Sequence, residues 1–299
     1  MIAENGMGFP FRELSRLTLH DDCTVANLEV VLSDRKLAKE PRDFNFIGPT
    51  ANTEILTLGG IDCVTLANNH TLDYGRAGYA DTQAALEAAG VGWFGTDSAA
   101  VWRGEDGLMI GFLGASYSLT GSRYKAFAAQ AEQLRELGCS AVITVMHAGT
   151  EYSRRPPDAY QKQIVSRAVQ CGSCLIVGHH PHVVQGLDVV DGVPVVYSLG
   201  NCSFGGNVNP KDKDALVLQA VLSFREGALR GITLRFCPIS VTSAEEGNNY
   251  SPRFLTGEDA ERVLEAMRKS TGTDPGAWDA EEGAAVRFFP AGGGAEESP

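Results

Sequence analysis

Three of the chain's six histidines, His179, His180 and His182, fall within four positions, directly after an apolar run (Leu175, Ile176, Val177) that stops at Gly178. Imidazole is the commonest protein donor to borderline divalent metals and is easily neutral near pH 7. Pro181 separates His180 from His182, and its fixed φ stiffens the turn so that both rings can address one small volume. The same grammar recurs upstream. An apolar segment ends on Glu29, a second opens into Asn69, His70 and Asp73, and a third, SAVITVM, ends on His147. Strand ends of a parallel sheet lie side by side, so groups distant in sequence converge at one edge. One carboxylate (Glu29), one amide (Asn69) and the imidazoles of His147, His180 and His182 suit a divalent Mn, Fe or Zn ion better than Mg or Ca, which prefer all-oxygen shells. Such an ion activates water and neutralises a phosphoryl group, while a histidine off the metal protonates the leaving oxygen. His70 is the candidate acid and Asp73 its orienting partner. Each residue also has a plainer reading, Glu29 as a solvated strand end and His70 as a buried structural ring; the joint pattern outweighs them.

The elements that must carry these groups are legible as alternating short strands and helices in the first half. Apolar periodicity predicts helices over residues 11–19, 52–58, 76–89, 124–137 and 160–169, the fourth closed by Gly138. Buried strands are predicted over 24–28, 63–67, 91–94, 100–103, 108–114 and 140–146. Residues 33–50, polar and punctuated by Pro and Gly, read as a long loop able to cover a site. The second half is antiparallel in grammar: Asp191-Gly192 and Glu226-Gly227 mark hairpins within 183–199 and 215–236. Thr256 with Asp259 resembles a capping box for a helix to about residue 269. The expected class is α/β with a mixed or two-layered sheet between helices, one domain over 1–289 and a disordered tail over 290–299.

Composition narrows the function. With 25 basic against 37 acidic residues the net charge is -12, which excludes the electrostatic footprint of a nucleic-acid binder. No apolar run approaches the length of a membrane span, and MIAENGMGFPF lacks the regions of a signal peptide, so the chain as written reads as cytoplasmic. Seven scattered cysteines fit a reducing compartment, and Cys171 with Cys174 reads as a pair of buried small hydrophobes rather than a redox or zinc site. Lys36, Lys39, Arg42, Arg154 and Arg155 are the basic candidates for contact with an anion.

NLE at 27–29, LANNHTLDYG at 66–75, HAGTEY at 147–152, GHHPHVVQG at 178–186 and YSLGN at 197–201 together resemble the bacterial capsule-synthesis, or poly-γ-glutamate-synthesis, family of CapA type. That family is similar to calcineurin-like metallophosphoesterases, which implies a four-layer sandwich of helices flanking two central sheets. The resemblance places Glu29 where a carboxylate bridges two metals, Asn69, His147 and His180 on one metal, His182 on the other, and His70 as leaving-group acid. His179 becomes an alternative ligand or a support for one. The family also begins with a strand ending in Gly-Asp that helps hold the first metal; none is seen here, by gene-start error or by real loss, so the first-metal site is expected to be incomplete. Ala148 and Cys202 stand where the family carries aromatics. The function implied is a metal-dependent phosphoesterase-like hydrolase acting on a phosphoester or an anionic cell-surface polymer. A non-catalytic, polymer-binding accessory to other capsule-synthesis proteins, or a degenerate homologue without metal, is the alternative. Family members are often membrane-anchored and extracytoplasmic.

Overall fold

The computed structural model describes residues 2–155 and 157–291. The chain opens on short turns: α1 (Ile2–Asn5), a 3-10 turn (Phe9–Phe11) and α2 (Ser15–Thr18). Then come β1 (Val25–Asn27), β2 (Val31–Leu32), β3 (Ile47–Gly48), α3 (Thr53–Leu58), β4 (Cys63–Thr65), α4 (Gly75–Ala88) and β5 (Gly92–Phe94). The middle runs β6 (Ala100–Arg103), β7 (Met109–Ser116), α5 (Gly121–Glu136), β8 (Ala141–His147), α6 (Ala159–Gln170) and β9 (Leu175–His179). The last part is β10 (Val184–Val190), β11 (Val193–Leu199), β12 (Asp214–Arg225), β13 (Ala228–Ser240), β14 (Arg253–Phe254), α7 (Gly257–Thr271), β15 (Trp278–Asp279) and β16 (Ala284–Pro290).

The strands form a mixed α/β architecture. A six-stranded sheet of order β10-β11-β9-β8-β7-β6 faces a second layer divided between a parallel sheet, β1-β4-β5, and an antiparallel one, β12-β13-β16-β15. Alternation along β8 explains the sandwich: Val142 and Met146 pack under α5 and α6 with Phe127, Leu134 and Ile164, while Ala141 and Val145 meet Cys63 and Phe94 of the parallel sheet. On the far side of the parallel sheet Val64 packs with Leu56 of α3 and Leu86 of α4. Helix α7 is no outer layer. Its Val263, Leu264 and Met267 join a core with Leu175, Leu187 and Val196 on one side and Leu234, Phe236 and Phe289 on the other.

Several expectations are corrected. The helix over 11–19 is instead a 3-10 turn ending at Phe11 and a single α-turn over Ser15–Thr18, between which Leu14 drops into a core with Ala215, Ile239 and Val241. The loop over 33–50 is bounded by a small parallel ladder, β2 against β3, so its two ends are tied together. No capping box forms at Thr256, since the Asp259 carboxylate accepts instead from Arg262 at 3.1 Å. The real box is at α6, where the Asp158 side chain accepts from the Gln161 N–H and Gln161 Oε1 accepts from the Asp158 N–H. The hairpin turns agree with the sequence: Asp191-Gly192 and Glu226-Gly227 all adopt positive φ. Of the expected tail, Pro290 ends β16, and residues 292–299 lie outside the described residues. Among the described residues no strand precedes β1 and no helix is long and apolar enough to cross a membrane.

Strand β9 is clamped between β8 and β11, and at Gly178 a Cβ would stand 2.0 Å from the Tyr197 carbonyl oxygen. Only glycine fits there, one residue before the histidine cluster. The variant Gly178→Ala is expected to lose about 3 kcal/mol of stability in a urea titration; an unchanged midpoint would show that the two strands separate easily.

Candidate metal centre

The parallel strands β1, β4, β8 and β9 all point their carboxyl ends to one place. Just past β1 lies Glu29; past β4 come Asn69 and His70; β8 ends at His147, paired in register with His179 at the end of β9. The chain then turns sharply. His180 and His182 both hold positive φ, 97° and 57°, an arrangement unfavourable for residues with a Cβ and tolerated only where the surroundings fix it. Tyr152 N–H donating to the Pro181 carbonyl at 2.7 Å helps to fix it.

His147 Nε2 is the focus. It lies 2.7 Å from Asn69 Oδ1, 3.1 Å from His180 Nδ1 and 3.6 Å from Glu29 Oε1. A single ring nitrogen supplies at most one proton, so it cannot satisfy an amide oxygen, a carboxylate and a second imidazole together. Four donor atoms facing inward with so few hydrogens between them are the arrangement a cation would complete. The residues therefore fit a divalent ion of borderline character, with nitrogen and oxygen ligands. A second group adjoins the first: His180, His182 and Glu151 each place a ligand atom within 4.8 Å of the others. His182 Nδ1 lies 2.8 Å from Asn201 Oδ1.

Electrostatics agree. Burial lowers His147 well below the usual imidazole range, with His180 adding to it, and burial likewise lowers His180. Neutral rings are the form that binds metal. Glu29 is pushed upward by burial, with the charges of His182 and His70 pulling the other way. Asn27 Nδ2 holds it by donating to Oε2 at 3.1 Å, and Asn68 Nδ2 in turn donates to Asn27 Oδ1 at 3.1 Å.

His70 stands apart from this set but faces it. Its Nδ1 is 2.7 Å from Asp73 Oδ2 and its Nε2 is 3.9 Å from Glu29 Oε1. Asp73 is fully buried, with Arg42 paired to Oδ1 at 3.5 Å and the Phe46 N–H donating to Oδ2 at 2.8 Å. The Phe46 ring packs on His70 at 4.5 Å. The covering loop thus grips the His70–Asp73 pair. Of the other basic candidates, Arg154 pairs with Asp212, and among the described residues Lys36, Lys39 and Arg155 make no ion pair. Beside His182 a cavity of about 90 Å³ is lined by Tyr152, Asn201, Phe204, Asn207 and Lys211.

Residues 2–205 match the family described as bacterial capsule synthesis protein PGA_cap. The chain belongs to that family. It is 26% identical over 292 residues to the capsule biosynthesis protein CapA of Bacillus anthracis, covering 89% of this chain and 68% of that one. It is 32% identical over 161 residues to the PGA biosynthesis protein CapA of Bacillus subtilis (strain 168), covering 46% of this chain and 41% of that one. Among solved structures it is similar to the calcineurin-like phosphoesterase YfkN from Bacillus subtilis, at 13% identity and a TM-score of 0.34, over 72% of this chain and 70% of that chain.

In this PGA_cap chain the structure brings Glu29, Asn69, His147, His180 and His182 together and sets His70 with Asp73 beside them. His179 is not brought into hydrogen-bond range of the cluster among the described residues; it sits across the register from His147. Glu151, Asn201 and the Asn27–Asn68 pair were not singled out by the sequence. Glu151 follows His147 by four positions, and that proximity was the available signal. Cys171 caps α6 and burial raises both it and Cys174, the latter to about 11, as expected of inert small side chains.

Burial lowers His179 to about 4, with His182 adding to it, against an ordinary value of 6.5. A proton therefore binds His147, His179 and His180 more readily in the unfolded chain. Their stabilising contribution is complete above 6.5 and is lost as pH falls toward 4. Glu29 acts in the opposite sense, but three rings outnumber it. The urea midpoint of metal-free protein is expected to fall between pH 7 and pH 4.5 and to fall less steeply in His179→Gln; a midpoint that rises over that range would refute neutral rings.

Proposed function

We propose that this chain is a metal-dependent phosphoesterase-like hydrolase working in capsule or poly-γ-glutamate biosynthesis, on a phosphoester or a related bond of an anionic cell-surface polymer. The convergence of Asn69, His180 and Glu29 on His147 Nε2 carries the reading. Glu29, Asn69, His147, His180 and His182 would hold one or two divalent ions, Mn, Fe or Zn, and Glu151 is placed to assist His180 and His182. When bound, the ion would supply Lewis acidity toward a phosphoryl oxygen and an activated water.

The chain's own residues divide the remaining work. In the protonated ring Asp73 accepts from the His70 Nδ1–H and orients the imidazolium, so that the Nε2–H, aimed at the cluster, would be the proton passed to a leaving oxygen. Arg42 and the Phe46 N–H keep the Asp73 carboxylate in place from the other side. The Phe46 ring excludes water from one face of His70 and restrains its rotation. Arg42 also donates to the Asn69 carbonyl, so one guanidinium ties the amide ligand and the acid–carboxylate pair to the same loop.

Elemental analysis of protein purified without chelator, followed by an aryl-phosphate assay with added manganese, tests the reading. The wild type is expected to hold metal and turn over. His147→Ala should lose the metal, whereas His70→Ala should keep it and lose turnover by about 10²–10⁴-fold. Metal bound without turnover on any phosphoester would favour the non-catalytic accessory role, and absence of metal would favour the degenerate one. In Arg42→Ala the metal content should be unchanged and kcat should fall with little change in KM; loss of metal would instead show that Arg42 acts mainly by holding Asn69 in the ligand set.

A further inference from the structure

A second cavity has no histidine in its lining. About 400 Å³ in volume, it lies between the N-terminal turns and β14, and its lining includes Phe9, Arg12, Arg16, Arg253 and Phe254 together with the Glu13 carboxylate that pairs with Arg16. That size is ordinary for a small-molecule or oligomer subsite. Three guanidiniums on one cavity stand out in a chain of net charge -12.

Arg35, Arg42, Arg154, Arg235, Arg262 and Arg268 each meet a carboxylate within ion-pair distance. Arg12 and Arg253 do not: among the described residues neither makes an ion pair. Arg12 instead lies over the Phe9 ring at 4.7 Å, and Arg16, paired only with Glu13, lies over the Phe254 ring at 6.0 Å. Stacking on an aromatic face orients the Arg12 guanidinium and leaves its in-plane N–H groups free to donate, whereas Arg16 already donates to the Glu13 carboxylate and carbonyl. The supporting backbone is tied down, since β14 pairs with Ile239 and Ser240 of β13 and Ser251 Oγ donates to the Phe9 carbonyl at 2.9 Å. Thr256 completes the rim at the start of α7, where no side chain caps the helix N–H groups.

We infer that this cavity is an anion-binding site, separate from the histidine cluster, that takes a ligand bearing at least two carboxylate or phosphate groups on the forks of Arg12 and Arg253, with Arg16, paired to Glu13, beside them. Planar, bidentate donors in fixed positions match such groups, and the two phenyl rings offer apolar wall to whatever joins them. The site is also linked to the cluster side. Tyr250, next to Ser251, accepts from Ser203 Oγ, and Asn248 Nδ2 donates to the carbonyls of Phe204 and Asn207, which line the small cavity beside His182. A ligand held by Arg253 therefore bears on a segment that is hydrogen-bonded to the wall of the candidate metal centre.

Calorimetric titration of the full chain, stripped with EDTA so that the histidine cluster plays no part, tests this with two probes: a short γ-linked glutamate oligomer and inorganic pyrophosphate. Binding of either, weakened by added salt and reduced about tenfold or more in Arg12→Ala/Arg253→Ala, is the expected result. Tighter oligomer binding assigns the site to a polycarboxylate, and tighter pyrophosphate binding assigns it to a phosphate compound. The Arg35→Ala variant, which removes a guanidinium already paired with Asp81, should bind as the wild type does. Absence of binding by both probes, or equal binding by the double variant with its metal content and melting curve intact, would overturn the assignment, whatever becomes of the metal centre.

Discussion

A desolvated carboxylate facing neutral imidazoles is the constraint on which the rest of the structure turns. Burial penalises the charge on Glu29 and, by the same physics, keeps His147 and His180 uncharged, so neither ring can neutralise it. Arg42, on the covering loop, is already engaged by Asp73. An ion of charge two would reverse each of these deficits at once, converting a strained meeting of acceptors into a coordination shell.

Holding those groups in place explains much of the local sequence. Two sheets must deliver strand ends to one point, β1 and β4 from the parallel layer, β8 and β9 from the six-stranded one. Small residues permit the approach: Gly178 passes under the Tyr197 carbonyl, and Gly149, at φ 129°, has Gln161 and Pro181 at the distance a Cβ would need. Gln161 then does double duty, closing the α6 capping box and donating to Gln185 at 2.8 Å, which locks the helix against the sheet behind the histidine turn. Asn27 and Asn68 do the same between β1 and β4 with amide hydrogen bonds.

Much of this was legible in the sequence. Strands that are apolar throughout and end in one polar residue announce both their burial and the direction in which they point, which is why β4, β8 and β9 and their ligand-type residues could be read directly. What escaped notice shares a physical cause. The two-residue ladder of β2 and β3 is too short to show a period, and the split of the second layer into two sheets depends on long-range pairing of β12 and β13. Glu151 is an ordinary exposed glutamate by sequence and becomes notable only when the Pro181 turn brings His180 and His182 to it. The supposed cap at Thr256 failed because Arg262, one turn on, competes for Asp259.

Membership in the PGA_cap family places the chain among proteins described by capsule synthesis, while the chemistry rests on the local geometry alone. A crystal soaked in manganese and measured at the metal's absorption edge probes that geometry at its centre. The expected result is an anomalous peak within about 2.0–2.3 Å of His147 Nε2, with Asn69 Oδ1 and His180 Nδ1 at similar distances. Diffraction from a well-soaked crystal with no peak there, and those atoms still in mutual contact, would contradict it.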